Sequence, residues 1–340
     1  MNKFQFTVLK FGFAIGIVGF LVYKASSSDQ FQSIVQSEKQ WGFLWAGQVL
    51  VTAGISLSFI RWRRLVQAVG IPFSYLDCLR IGFVGHMFGS VSIGTFGADA
   101  VRIYFVSREN PDHKALALVT VFVDRVCGLL GLFMLTTLTM FAFRYFGDSA
   151  ILMSDLGTLQ AITWIALGLT CTGLIGFSGL FVFPHVKNTK GFRRLVQLRW
   201  IGPLLEKALE AGIVYQQRPQ VLVLALLQSI GVHVLLTLSV FCVAVGLRVE
   251  HPSLGDHFII SPISHLASVL PLPGGIGGLE GFLWFFYRSI GDQSVNTTGL
   301  IVALAYRIET LVVAVVGVLF YLKGRQQIDE LVDQHREEQA

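Results

Sequence analysis

Charge is scarce in this chain. Only 14% of its 340 residues are Asp, Glu, Lys or Arg, while 53% are hydrophobic and the mean hydropathy is +0.64; a soluble domain carries about 25% charged residues. The deficit excludes a soluble globular protein and leaves no polar stretch long enough for a separate catalytic domain. Catalytic signatures are missing as well: there is no HExxH, no GxSxG and no Walker loop, so neither a metalloprotease helix, a nucleophile elbow nor a nucleotide-phosphate cradle is present. Cysteine is sparse too. Cys78, Cys127, Cys171 and Cys242 all lie in apolar stretches without CxxC spacing, a pattern of small buried apolar residues and not of a redox or zinc site. No cofactor, no metal and no nucleic-acid partner is expected, and no enzyme activity is assigned.

Long apolar runs are what the chain has in place of charge. A spanning helix needs roughly 20 mostly apolar residues, and such stretches occupy about 6–24, 41–60, 115–142, 162–183, 221–246 and 299–322. In the first, the apolar run from Phe11 to Tyr23 follows Lys3 and Lys10, and Lys24 sits where a cleavable signal needs a small residue, so it reads as an uncleaved signal-anchor. Two further regions, about 75–107 and 256–290, are apolar but interrupted by glycine and polar at their centres. Unwound backbone at membrane depth survives only inside protein or beside a watered cavity. Each region is therefore read as a re-entrant hairpin, two half-helices that enter and leave on one side.

Basic residues set the orientation. Arg61, Arg63, Arg64 and Arg80 precede the first hairpin and Arg108 and Lys114 follow it, which places both flanks in the cytoplasm. The loop 184–220 carries Lys187, Lys190, Arg193, Arg194, Arg199, Lys207 and Arg218 and is cytoplasmic by the same rule. Its apolar residues recur at near-helical spacing between the arginines, which describes a basic amphipathic helix on the membrane surface. The second hairpin is flanked by Arg248 and Arg288 with Asp256 and Asp292 opposing them, and falls outside. The expectation is an all-α integral membrane protein of the inner membrane. It forms a single membrane domain over 1–340, with six full spans, two re-entrant helical hairpins and both termini cytoplasmic.

The two hairpins are copies. Ser90-Val-Ser-Ile-Gly94-Thr-Phe-Gly97-Ala-Asp99-Ala-Val-Arg102 matches Pro271-Leu-Pro-Gly-Gly275-Ile-Gly-Gly278-Leu-Glu280, with Gly94 and Gly275, Gly97 and Gly278, and Asp99 and Glu280 each 181 residues apart. Arg125 and Arg307 follow in the next spans, 182 apart. Ala68-Val69-Gly70-Ile71 and Ala244-Val245-Gly246-Leu247 close the spans before, with Ser74 and Ser253 shortly after. Span, hairpin and span thus occur twice, over about 41–142 and 221–322, with 184–220 as the linker. Three crossings separate the two starts, and an odd number inverts the second unit. Inverted repeats with broken helices are a transporter architecture.

The informative residues are the charges inside apolar regions: Asp99, Arg102, Asp124, Arg125, Glu280, Arg307 and Glu309. Each costs roughly 2.5–3.5 kcal/mol at mid-bilayer, so some must pair and some must face water. Arg125 with Asp99 and Arg307 with Glu280 are the expected pairs; Asp124 and Glu309 are placed near span ends, from which each reaches an interface. Gly274, Gly275, Gly277 and Gly278 allow close backbone approach and free N–H groups at a helix start near Leu279, a natural phosphate site. Arg102, Arg125 and Arg307 add charges suited to phosphate oxygens. The substrate-binding set is therefore Asp99, Arg102, Asp124, Arg125, Gly274, Gly275, Gly277, Gly278, Glu280 and Arg307. The isolated His86, His233 and His265 read as satisfied helix contacts.

Gly94-x-x-Gly97-Ala98-Asp99-x-x-Arg102, Asp124-Arg125, Pro271-x-Pro-Gly-Gly-x-Gly-Gly-x-Glu280 and the late Arg307 resemble the lysylphosphatidylglycerol synthase transmembrane, or flippase-like, family over nearly the whole chain. The chain has Ser92 and Ala98 where members often carry a proline and a Gly-Gly-Asp run. In the multiple peptide resistance factor a similar membrane region moves aminoacylated phospholipid ahead of a cytosolic aminoacyl-transferase domain, which is not found here. The resemblance implies lipid translocation, with the headgroup of a phospholipid or polyprenyl-phosphate lipid passing between the hairpins. Asp99 and Glu280 then pair with the arginines, contact a headgroup amine or carry a coupling proton. The alternative is a membrane enzyme, or a subunit serving a cytosolic or membrane lipid-modifying enzyme, that alters such a headgroup.

Overall fold

The local chemistry at Ser74 and Ser253 begins the two broken regions in the same way. Ser74 Oγ lies 2.5 Å from Asp77 Oδ2 and accepts from Asp77 N at 3.1 Å. Ser253 Oγ lies 2.7 Å from Asp256 Oδ2 and accepts from Asp256 N at 3.1 Å. In both, the serine caps the N–H of the third helical residue; at Ser253 the box is completed by its own N–H donating to Asp256 Oδ2 at 3.1 Å. Asp256 thus caps a helix and is not the loop charge that the flank pattern makes of it.

The structure, a computed structural model, describes residues 29–91, 96–146, 164–176, 211–267, 277–290 and 297–337, with Tyr23, Ser26 and Ser178 besides. Its main helices are α1 (Asp29–Gln36), α2 (Trp41–Ala68), α3 (Tyr75–Val91), α4 (Phe96–Glu109), α5 (Lys114–Phe146), α6 (Trp164–Gly176), α7 (Pro219–Gly246), α8 (Leu254–Ala267), α9 (Gly278–Ile290) and α10 (Thr298–Glu337). Among the described residues there is no strand. Four stretches are long and apolar enough to cross a membrane: Trp41–Ala68, Pro111–Ala142, Pro219–Gly246 and Thr298–Gly324. The expected first span and most of the linker lie outside the described residues, and of the span at 162–183 the 13 residues of α6 are seen. The linker's last part, 211–217, is helical, and its Tyr215 is buried with the hydroxyl donating to Leu65 O at 3.1 Å.

Both interrupted regions fold as pairs of short helices. α3 and α4 have 17 and 14 residues, α8 and α9 have 14 and 13; at 1.5 Å per residue these are about 20–26 Å long, under the roughly 30 Å of a bilayer core. In the first pair Arg80 meets Glu109 at 3.1 Å, while Gly85 and Gly89 both lie against Ala98, so the helices run antiparallel. In the second, His257 Nε2 sits 2.7 Å from Tyr287 Oη.

The helices pack in a scheme that maps onto itself. α2 lies along α7; α3 packs on α10 as α8 packs on α5; α5 meets α7 as α10 meets α2. Exchanging α2, α3, α4 and α5 with α7, α8, α9 and α10 leaves these pairings unchanged. Small residues permit the approach: a Cβ on Gly246 would meet Leu44 Cδ2 at 2.6 Å, and one on Gly299 would meet Leu283 O at 2.5 Å. Of the cysteines, Cys78 and Cys127 are buried, Cys242 is half-buried and Cys171 is exposed on the apolar helix α6. Outward-facing Cys171 departs from the expectation of burial, and its apolar thiol suits a lipid-facing helix surface as well as a core.

The ends of α2 and α7 correct the alignment made on Ala-Val-Gly. The residue that turns the chain is Gly70, at φ +85°, in the first and Arg248, at φ +56°, in the second; Gly246 is inside its helix. A left-handed conformation costs an L-residue roughly 1–2 kcal/mol, of which glycine's looser unfolded chain returns a part. Arg248→Gly is expected to stabilise the protein by about 0.5–1 kcal/mol and Gly70→Ala to destabilise it by about 1 kcal/mol, read as opposite shifts of the thermal midpoint in detergent.

Candidate functional site

The buried charges gather where α4, α5, α9 and α10 meet their neighbours. Asp99 on α4 accepts a two-point bond from Arg125 on α5, with Nε to Oδ2 at 2.8 Å and Nη2 to Oδ1 at 2.7 Å. Glu280 on α9 takes Arg307 of α10 on one oxygen, with Nε at 2.8 Å and Nη2 at 2.6 Å from Oε1. These are the two pairs that the repeated acid–arginine spacing predicts. They are not equally sheltered: the Asp99 side chain is 17% exposed and that of Glu280 1%, while Arg125 and Arg307 are 35% and 25% exposed. Each guanidinium therefore has one edge on a carboxylate, in a side chain that is partly exposed.

Glu280 does a second job. Its Oε2 accepts the backbone N–H of Gly277 at 2.9 Å, and Gly277 has φ +97°, a conformation that favours glycine. Glu280 is the third residue of α9 and reaches back to the residue that caps it, as the acidic member of a capping box does. The helix start expected to receive a phosphate thus already holds an anion, supplied by its own first turn. Gly278 is buried beside it; Gly274 and Gly275 lie outside the described residues.

Asp124 does not reach an interface. It is 2% exposed and lies between two arginines, Arg61 Nε at 2.8 Å from Oδ1 and Arg102 Nη1 at 3.4 Å from Oδ2. Arg61 Nη1 also donates to Ser229 Oγ on α7 at 2.8 Å. Arg102 is 6% exposed, with its guanidinium carbon 5.4 Å from the Phe59 ring centroid and 5.3 Å from that of Trp62, distances at which a cation is attracted to an aromatic face. Among the described residues its Nε has no partner. Arg61 was missed because it opens Arg61-Trp-Arg-Arg64, which reads as a cytoplasmic flank. Only its phase on α2 separates it from the others: it shares the buried face with Phe59, Trp62, Leu65 and Val66. Arg63 points elsewhere, donating to Phe73 O at 3.0 Å.

Glu309 also departs from the interfacial expectation. It is 8% exposed and accepts from Ser239 Oγ of α7 at 3.0 Å. The three histidines bridge helices as expected: His86 Nε2 lies 3.3 Å from Thr310 O, His233 Nε2 3.1 Å from Gly128 O, and His265 Nε2 3.1 Å from Tyr306 Oη; His233 departs from full satisfaction, its buried Nδ1 having no partner among the described residues. His86 is within electrostatic reach of both Arg102 and Arg307. Arg61, Arg102 and Arg125 against Asp99 and Asp124 leave the first half one positive charge in excess. Arg307 and Glu280 cancel in the second, where Glu309 is left over as one acid in excess. Among the described residues no three His, Cys, Asp or Glu side chains converge as metal ligands.

A family model described as the lysylphosphatidylglycerol synthase TM region matches residues 7–317. Comparison with the curated proteins found no match.

Proposed function

The chain belongs to the lysylphosphatidylglycerol synthase transmembrane-region family, and from that premise we propose that this multi-pass membrane protein is a flippase-like lipid translocator of the inner membrane. The headgroup of a phospholipid or polyprenyl-phosphate lipid passes through a polar cleft between two re-entrant hairpins, 75–109 and 254–290, while its acyl chains stay in the bilayer. The helix exchange described above supports an inverted repeat, and the short antiparallel helices support hairpins that do not cross. Six crossings with cytoplasmic termini complete the arrangement.

One observation carries the reading: two part-exposed arginines, Arg125 and Arg307, each held by a carboxylate at the same place in its half. A guanidinium binds phosphate and carboxylate with the same two-point geometry. Asp99 and Glu280 act as internal anions that a lipid phosphate displaces, so neither arginine is left bare in the membrane when the cleft is empty. The unbalanced positive charge around Arg61, Arg102 and Asp124 favours an anion in the first half.

The test is reconstitution of the purified protein in vesicles with head-labelled phospholipid or polyprenyl phosphate. The expected result is movement of label between leaflets with lipid mass unchanged, weakened at least tenfold by Arg125→Gln. A changed lipid mass favours the headgroup-modifying enzyme in its place. No movement with either lipid class overturns the translocator.

A further inference from the structure

Glu309 is the buried acid that the arginine pairs leave over. Among the described residues its side chain forms no ion pair, although it is 8% exposed. Its place is nevertheless built to hold it. Gly47 of α2 makes the room: a Cβ there would stand 2.7 Å from Glu309 Oε1. Ser239 Oγ of α7 lies 3.0 Å from Glu309 Oε2 and 3.0 Å from the carbonyl oxygen of Gly47, while Gln48 Nε2 donates to the Glu309 carbonyl at 3.3 Å. The carboxyl thus sits where α10 crosses both α2 and α7. Among the described residues, the groups around it supply no positive charge. Cys242 on α7 and Tyr306 on α10 are within its electrostatic reach, and His86 of α3 is on the carbonyl of the adjacent Thr310. α9 brings Glu280, already held by Arg307, and α2 brings the neutral Gln48.

A hydroxyl has one hydrogen to give, and Ser239 has two acceptors at equal distance. With Glu309 ionised, the hydroxyl turns to the carboxylate and the charge stays buried without a cation, a costly state. With Glu309 protonated, the acid O–H donates to Ser239 Oγ and the serine O–H donates to Gly47 O. Every hydrogen in the chain then has an acceptor and no charge remains. We propose that Glu309 is a proton-binding site, with Ser239 as the relay that reports its state to α2. On the translocator reading above, Glu309 is then the carrier of the coupling proton. Asp99 and Glu280 are poor candidates for that role because each is neutralised by an arginine. Taking up the proton releases α10 from the electrostatic cost of facing α2 and α7, and losing it favours an arrangement that admits water to the carboxylate.

Infrared difference spectra of the purified protein on acidification test the site without any transport. The expected result is a carboxylic-acid C=O band that is absent from Glu309→Gln and kept in Glu280→Gln. A band that survives Glu309→Gln, or no such band in the parent, overturns the proposal. Ser239→Ala keeps the carboxyl and covers a misfolded Gln variant; it is expected to shift the band by removing its acceptor, and an unmoved band overturns the relay. In vesicles, a pH gradient is expected to bias lipid movement by the parent but not by Glu309→Gln; an equal bias in both overturns the coupling role. If the parent moves no lipid, the translocator reading has failed, and the infrared result still decides the proton site.

Discussion

Asp124→Asn is expected to destabilise the protein by about 3–5 kcal/mol, the typical cost of removing one partner from a buried ion pair. Asp124 is 2% exposed and is the shared counter-charge of Arg61 and Arg102, which are each 6% exposed. The amide keeps the shape and one acceptor, but leaves two buried guanidinium groups facing each other with nothing to neutralise them. The cost extends beyond the pair, because Arg61 links α5 to α2 and, through Ser229, to α7. Gly128 lies against this guanidinium, 3.3 Å from Nη2 to a Cβ built there, so Arg61 has no room to swing away. A triple change to Arg61→Met, Arg102→Leu and Asp124→Leu removes all three charges and is expected to recover most of the loss. Thermal midpoints in detergent measure both. A midpoint for Asp124→Asn equal to the parent's would mean that the cluster is wet and Asp124 dispensable.

Arg307→Gln is expected to cost about 3–5 kcal/mol as well, because it strands a Glu280 that is 1% exposed. Glu280→Gln is milder: it leaves Arg307, which is 25% exposed and can reach solvent or headgroups, and it weakens the bond to Gly277 N. The double change Glu280→Gln with Arg307→Gln removes both charges, so stability is expected to return toward the parent. If the pair serves only to hold α9 on α10, activity returns with it. If the pair exchanges with lipid phosphate, stability returns and lipid movement does not. Arg125→Gln provides the comparison. Its partner Asp99 is 17% exposed, so the stability loss is expected to be smaller than for Arg307→Gln at a similar loss of transport. A double mutant as active as the parent would remove Glu280 and Arg307 from the mechanism.

What the sequence determined follows from local rules. Hydropathy over 20-residue windows located the helices Trp41–Ala68, Lys114–Phe146, Pro219–Gly246 and the apolar part of Thr298–Glu337, because a bilayer sorts segments by composition and length. Glycine clusters located the breaks in 75–107 and 256–290. Repeated spacing paired Asp99 with Arg125 and Glu280 with Arg307, since a charge in an apolar segment must find its opposite and only one repeated partner was offered. The Ser-x-x-Asp starts at Ser74 and Ser253 were also there to be read, as a four-residue signal.

The tertiary structure decided which helix faces which, and with it the fate of the remaining charges. Arg61 meets Asp124 across 63 residues, and Ser239 meets Glu309 across 70; nothing local distinguishes Arg61 from Arg63 and Arg64, or Glu309 from an acid at a span end. Their burial depends on the phase of α2 and α10 against helices far away in the chain, and on glycines such as Gly47 that matter only once a neighbour has arrived. Glu280 illustrates both levels: its pairing was written in the spacing of the repeats, while its capping of Gly277 depends on a backbone turn at φ +97° that places the N–H against its second oxygen.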